Sequence, residues 1–347
     1  MKKNVALLHG AGYAGGELVR ILLGHPEVEL KSITSRSFAG KPIWTAHPDL
    51  RGQIDLTFVA PDDVELDGVD VVLIAAEHGK GVRAVLDILE SGYEGAIIDL
   101  SADFRFEDPS LYEAWFGFVH PAPELLESFV YGMPEINAPY PPQTKHIANP
   151  GCFATGLVLA LWPVSRHVDG FHAAVTALTG ASGSGATPKS ATHYPTRDAN
   201  LRAYKILRHQ HLPEVQQILG NGADIAFVPV SGPWTRGIWG SIQIQLPSEV
   251  EMDEVSDWFE SAYGDRPFIR LWKGELPELR YAARSPFCDI GWVVAGRNLV
   301  IGFAEDNLLK GAASQAIQNL NLLFGFPETT GLLPQGASRT EPLSLTS

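Results

Sequence analysis

Apolar positions in the first third of the chain fall into short runs set between glycines and stretches of helical spacing. Val5 to His9 is a short run ending at glycines, and Val28 to Ile33 is a second of strand length. Between them Leu18, Ile21 and Leu22 recur as one face of a helix over Glu17 to Leu23, closed by Gly24, His25 and Pro26. Val69 to Ala76 and Ala96 to Leu100 read as buried parallel strands, with a helix over Val82 to Leu89 between them. Further on, the unbroken apolar stretch Phe153 to Trp162 predicts a buried helix ending at Pro163, and Val215 to Leu219 a shorter helix. Asn307 to Leu323 repeats Leu309, Ala313, Ala316, Ile317 and Leu320 along one face. Alternating strand and helix point to an α/β fold.

Length and composition narrow this picture. A chain of 347 residues with 45% hydrophobic and 19% charged positions suggests two globular domains. The net charge of −14 and the lack of a basic cluster argue against a nucleic-acid partner. An anionic substrate then needs a local positive site working against that field. Two distant cysteines make no disulfide framework, which points to a reducing, cytoplasmic setting. The N-terminus is too short an apolar run for a signal peptide, and no stretch suggests a membrane span. Residues 329–347, rich in Gly, Pro, Ser and Thr, are expected to form a surface tail.

Gly10, Gly12 and Gly15 stand at G-x-G-x-x-G spacing between the first strand and the first helix. In a strand-turn-helix-strand unit this pattern lets the backbone approach a pyrophosphate at a helix N-terminus. Ala11, Tyr13 and Ala14 complete the loop. The second strand ends in Thr34-Ser35-Arg36-Ser37, where an NAD site usually carries a carboxylate for the ribose. A hydroxyl and a guanidinium suit a 2′-phosphate, so the expected cofactor is NADP(H). His78-Gly79 and Ser101 to Arg105 close two further strands, where ligands gather in open α/β sheets.

Pro150 and Gly151 turn the chain immediately before Cys152, which therefore falls at a helix N-terminus. That location favours the thiolate, although a small buried hydrophobe is the usual fate of a lone cysteine, and Cys288 has only that reading. Arg208-His209-Gln210-His211-Leu212-Pro213-Glu214 supplies two histidines and a carboxylate for acid/base work. The histidine pair lacks helical metal-ligand spacing, and no metal is expected.

These residues resemble the N-acetyl-γ-glutamyl-phosphate reductases of arginine biosynthesis. The segment I-A-N-P-G-C-F-A-T-G-L-V-L-A-L-W-P from Ile147 to Pro163 resembles the family signature throughout. Supporting stretches are Gly12 to Leu18, Thr34 to Lys41, Leu100 to Arg105, Arg208 to Glu214 and Asp306 to Gly311. The resemblance implies an N-terminal Rossmann NADP-binding domain over 1–150, completed by a C-terminal helix over 307–325. It implies an α+β catalytic and oligomerisation domain of the glyceraldehyde-3-phosphate dehydrogenase type over 151–306. By position, Cys152 resembles the nucleophile and His209 the acid/base. Ala11 to Ala14, Ser35, Arg36 and Asn307 resemble nucleotide contacts, and Arg105, Ser182 and His211 substrate contacts. The implied reaction reduces an acyl phosphate through a cysteine thioester, in a homodimer or homotetramer.

The chain departs from the family in places. His9 stands where the first glycine of the turn is usual, and Gly10 lies one place later. The family's glycine-serine-glycine stretch, which often ends in Ala-Gly, reads Ala181-Ser182-Gly183-Ser184-Gly185-Ala186, and Gln210 replaces a common arginine. Lysine-pathway reductases acting on a carrier-bound acyl phosphate are the nearest alternative. Ser35 to Lys41 and His47 to Gly52 are compatible with them, whereas Phe153 and Asn149-Pro150-Gly151 favour the arginine branch. Aspartate-semialdehyde dehydrogenase shares fold and chemistry but matches these motifs less closely. A non-catalytic NADP-binding sensor would need neither Cys152 nor His209.

Overall fold

The computed structural model describes residues 1–220 and 222–334 and divides into two compact units. Residues 1–151 and 312–334 form the first, and residues 152–311 the second.

The first unit is built on a six-stranded sheet: β1 (Lys3–Leu8), β2 (Val28–Ile33), β3 (Val71–Ile74), β4 (Ala96–Asp99), β5 (Phe129–Tyr131) and β6 (His146–Ala148). The order is β2-β1-β3-β4-β6-β5, and every pairing is parallel. Alternate residues feed two separate cores. Val5, Leu7, Val71 and Leu73 join one with Leu18, Val19 and Leu22 of α1 (Tyr13–Gly24). Ala6, Leu8, Val72 and Ile74 join the other with Val82, Val85 and Ile88 of α2 (Gly81–Glu90). Burial on both faces explains why these strands read as apolar runs rather than alternations.

The second unit carries a seven-stranded mixed sheet. Its strands are β7 (Phe171–Thr179), β8 (Arg202–Ala203), β9 (Ala223–Ser231), β10 (Ile238–Gln245), β11 (Ile269–Lys273), β12 (Cys288–Ala295) and β13 (Asn298–Glu305), in the order β11-β12-β13-β10-β7-β9-β8. Buried and exposed residues alternate along β7, so one face is packed and the other open. α3 (Cys152–Ser165) packs on the covered face with α4 (Leu212–Leu219) and α5 (Met252–Tyr263). Phe303 of β13 fills the space left by two glycines: a Cβ on Gly156 of α3 or Gly240 of β10 would meet its ring at 2.2 or 2.1 Å.

Three elements differ from the sequence reading. α3 runs through Pro163 to Ser165 instead of ending there. A proline removes one amide from the ladder, but eleven of the helix's residues are buried, and that packing outweighs the lost bond. The segment expected as one helix from Asn307 opens as a π-helical turn over Leu309–Ala313, and the α-helix proper, α6, spans Ser314–Leu323. The last described residues of the expected tail, 329–334, pack down: Leu332 lies against the first core and Asn321 Nδ2 donates to Thr330 O. Residues 335–347 of that expectation lie outside the described residues. Among the described residues no helix is long and apolar enough to cross a membrane.

Candidate active site

In the first unit the three glycines do different work. A Cβ on Gly10 would meet Ile33 at 2.4 Å, and one on Gly15 would meet Gly10 O at 2.3 Å, so both are required for close packing of turn, helix and strand. A Cβ on Gly12 would meet nothing within 4 Å, which leaves open space at the N-terminus of α1. Gly12 caps that helix without a side-chain bond. Ala11 and Ala14 are half-buried and Tyr13 is exposed beside it. His9 closes the turn in left-handed backbone with φ 59. Ser35 is buried, its amide donating to Val59 O, whereas Arg36 is exposed and has no ion pair among the described residues. An open glycine cradle, an uncapped helix N-terminus and an unneutralised guanidinium fit a phosphorylated dinucleotide.

The other strand ends in this unit are tied to one another. Asp103 accepts the amides of Gly79 (2.7 Å) and Val82 (2.9 Å), capping α2. Asp99, wholly buried, accepts from Ser101 N and Oγ; burial and then the Asp103 charge push its carboxyl up to about 7. Arg105 gives Nε to Asn149 O (2.7 Å) and Nη2 to Leu100 O (2.9 Å). It therefore grips the backbone two residues before Gly151. The Asn149 side chain is also held, accepting from Asn319 Nδ2 at 3.0 Å and donating to Ala312 O at 3.2 Å.

In the second unit Cys152 is the first residue of α3 and is part-exposed. The next amide, Phe153 N–H, donates to His211 Nδ1 at 3.2 Å, and His211 N–H donates to His209 Nδ1 at 3.2 Å. This chain of contacts brings Cys152, His209 and His211 to one end of α3. Phe153, Tyr204 and Phe227 surround the His209 ring with centroids 5.2, 5.8 and 5.6 Å away. That burial, followed by the charges of His211 and Lys205, pushes His209 down to about 2, so it is neutral. With Nδ1 accepting, its proton sits on Nε2. His211 Nε2 lies 3.9 Å from Glu214 Oε1.

Ser182 and Asn307, expected at substrate and cofactor respectively, are partners. Asn307 Nδ2 donates to Ser182 Oγ at 3.0 Å, and Asn307 Oδ1 accepts the Gly237 amide at 2.7 Å. Asn307 belongs to the second unit, apart in the chain from the glycine turn.

Sequence reading missed several residues. His47, seen there only as part of a lineage motif, donates Nε2–H to Gly10 O at 2.8 Å, and Gly16 is bare beneath its ring. Asn319 shows no local signal because its partners lie about 170 residues away. The positive segment 189–208 was in plain view: Lys189, Arg202, Lys205 and Arg208 are exposed there, with Asp198 the segment's one acid. Lys205 Nζ donates to Gln210 Oε1 at 2.6 Å, which puts a cation beside the position where the family arginine is replaced.

Two family models match the chain: "Semialdehyde dehydrogenase, NAD binding domain" over residues 4–141, and "Semialdehyde dehydrogenase, dimerisation domain" over residues 152–307. An N-acetyl-γ-glutamyl-phosphate reductase of Methanopyrus kandleri is 42% identical over 96% of this chain and 98% of its own. A Thermomicrobium roseum protein with the name of a LysW-L-2-aminoadipate 6-phosphate reductase is 40% identical over 96% and 98%. Among solved structures, aspartate semialdehyde dehydrogenase II of Vibrio cholerae superposes with TM-score 0.72 at 18% identity, covering 94% of this chain and 99% of that one. Aspartate semialdehyde dehydrogenase with NADP from Candida albicans gives TM-score 0.67 at 16% identity, with 93% and 99% covered. These two likenesses are of fold.

Proposed function

The chain belongs to the N-acetyl-γ-glutamyl-phosphate reductase family, and on that premise we propose that it reduces N-acetyl-γ-glutamyl phosphate to N-acetylglutamate 5-semialdehyde and phosphate with Cys152 as nucleophile. One observation carries the assignment of roles: the amide following Cys152 is bonded to His211, whose own amide is bonded to His209.

The Cys152 thiolate attacks the acyl carbon, the carbon–oxygen bond to phosphate breaks, and a thioester remains on the enzyme. Amides of the first turn of α3 steady the oxyanion of that step. When bound, NADPH supplies the hydride that reduces the thioester. His209 moves the proton as the carbon–sulfur bond breaks and the aldehyde leaves. Its aromatic cage keeps water from the ring, and a bound anion restores the proton affinity that burial removes. His211, Ser182 and Arg105 are the substrate-side residues in this reading, with His211 and Arg105 also holding backbone around the nucleophile. Gly10 to Gly15, Ser35, Arg36 and Asn307 serve the cofactor. The enzyme works as a homo-oligomer, dimer or tetramer, in the cytoplasm.

A second reading, reduction of a carrier-linked acyl phosphate, is favoured by the Thermomicrobium relative. Reverse turnover separates them: free N-acetylglutamate semialdehyde with NADP⁺ and phosphate should produce NADPH. An inert free aldehyde alongside a reactive carrier-bound one would establish the second reading.

A further inference from the structure

His9 follows β1 in a left-handed conformation, φ 59, that a residue with a Cβ adopts at some cost. Two hydrogen bonds fix its neighbourhood. The amides of His9 and Gly10 donate to Thr34 Oγ1 (3.0 Å) and Thr34 O (2.9 Å), tying the end of β1 to the residue just before Ser35 and Arg36. Lys80 follows β3 at the N-cap of α2. The strands run β2-β1-β3 in the sheet. Arg36, His9 and Lys80 thus stand at the carboxyl ends of three adjacent parallel strands, where dinucleotides sit on such sheets. Glu77, ion-paired to Lys80 at 2.7 Å, is the acid that faces them.

We propose that His9 is a cofactor-phosphate residue, whose imidazolium joins Arg36 and Lys80 in holding the phosphates of NADP(H), so that binding takes up a proton at His9. The proposal rests on the NADP(H) reading above. In the ligand-free chain burial, then Lys80 and Arg36, hold His9 below the ordinary histidine range, and Glu77 opposes them. A bound phosphate offsets both cations and returns the proton. Because the proton affinity of His9 rises on binding, cofactor affinity rises as pH falls through the histidine range and loses that gain above it.

The test is calorimetric titration of the whole chain with NADP⁺ alone, at pH 6 and pH 8, in two buffers of different ionisation enthalpy. Wild type is compared with His9→Asn and His9→Gly. Both replacements tolerate left-handed backbone, so a thermal midpoint at or above that of wild type will show that they fold. Protonation of the cofactor's own 2′-phosphate is common to all three proteins and cancels. From pH 8 to pH 6 the wild-type affinity should gain roughly three- to tenfold over both variants, with more protons taken up. Equal pH dependence and equal proton uptake in all three would overturn the role of His9 while leaving the NADP(H) reading intact. A wild type that binds no NADP⁺ would overturn both.

Discussion

The proposed mechanism gives Cys152 and His209 separate tasks, so their removal should leave separate signatures. Cys152→Ser removes the sulfur that carries the acyl group, so turnover and any acyl adduct seen by mass spectrometry should both vanish. Proton transfer by a placed side chain contributes about 10²–10⁴-fold; His209→Asn should lose that much in kcat and still acylate at Cys152. Loss of acylation in His209→Asn would move the histidine to the first chemical step. Arg36→Ala should raise the KM for NADPH by roughly 10- to 100-fold, the effect of losing one charge-assisted contact, with NADH use unchanged. Equal losses with both cofactors would remove Arg36 from 2′-phosphate recognition. At this scale the sequence was readable where chemistry is local: a cysteine after Pro-Gly, two histidines beside a Glu, an arginine closing β2. It was silent on Phe153, Phe227 and Tyr204 as the cage of His209, because nothing in a local pattern tells which aromatic rings meet.

Elements follow the same division. In the first sheet β1, β3 and β4 were visible because both their faces are buried, β2 as an apolar-edged run between turns, and α2 because its apolar residues face one core, whereas the three-residue β5 and β6 were too short to read. The continuation of α3 past Pro163 was not visible, since the burial of the helix outweighs the proline's local signal, and the π turn at Leu309–Ala313 leaves the apolar periodicity unbroken. The junction of α3 with β13 gives a direct test of that packing. A methyl added at Gly156 would sit 2.2 Å from Phe303, which Gly240 already hems in from β10. Overpacking of this kind costs about 1–3 kcal/mol, so Gly156→Ala should lower the thermal midpoint by several degrees, and a Gly156→Ala/Phe303→Leu double variant should recover part of the loss. An unchanged midpoint in the single variant would show that α3 is free to shift.

At the scale of the whole molecule, buried histidines set the response to acid. Burial lowers the proton affinity of His9, His25, His47, His120, His146 and His209 in the folded chain. A histidine lowered on folding contributes stability above its unfolded value of about 6.5, and that contribution is lost as pH falls below it. For His209, held at about 2 and almost wholly buried, the loss by pH 4.5 is roughly 3 kcal/mol. Asp99, raised by burial to about 7, acts in the opposite sense over this range, and Asp289 is also raised by burial, but the lowered histidines outnumber them. Thermal midpoints should therefore fall from pH 7 to pH 5, less steeply in His209→Asn; a flat or rising profile would contradict this. One half-reaction reads the proposed catalysis most directly. Free N-acetylglutamate semialdehyde and NADP⁺, mixed with the enzyme in the absence of phosphate, should give a burst of about one NADPH per active site, as expected when a covalent acyl intermediate accumulates. The acyl group should be found by mass spectrometry on the peptide carrying Cys152, and added phosphate should release it. A burst without an adduct on Cys152, or steady turnover of the Cys152→Ala variant, would contradict the thioester account.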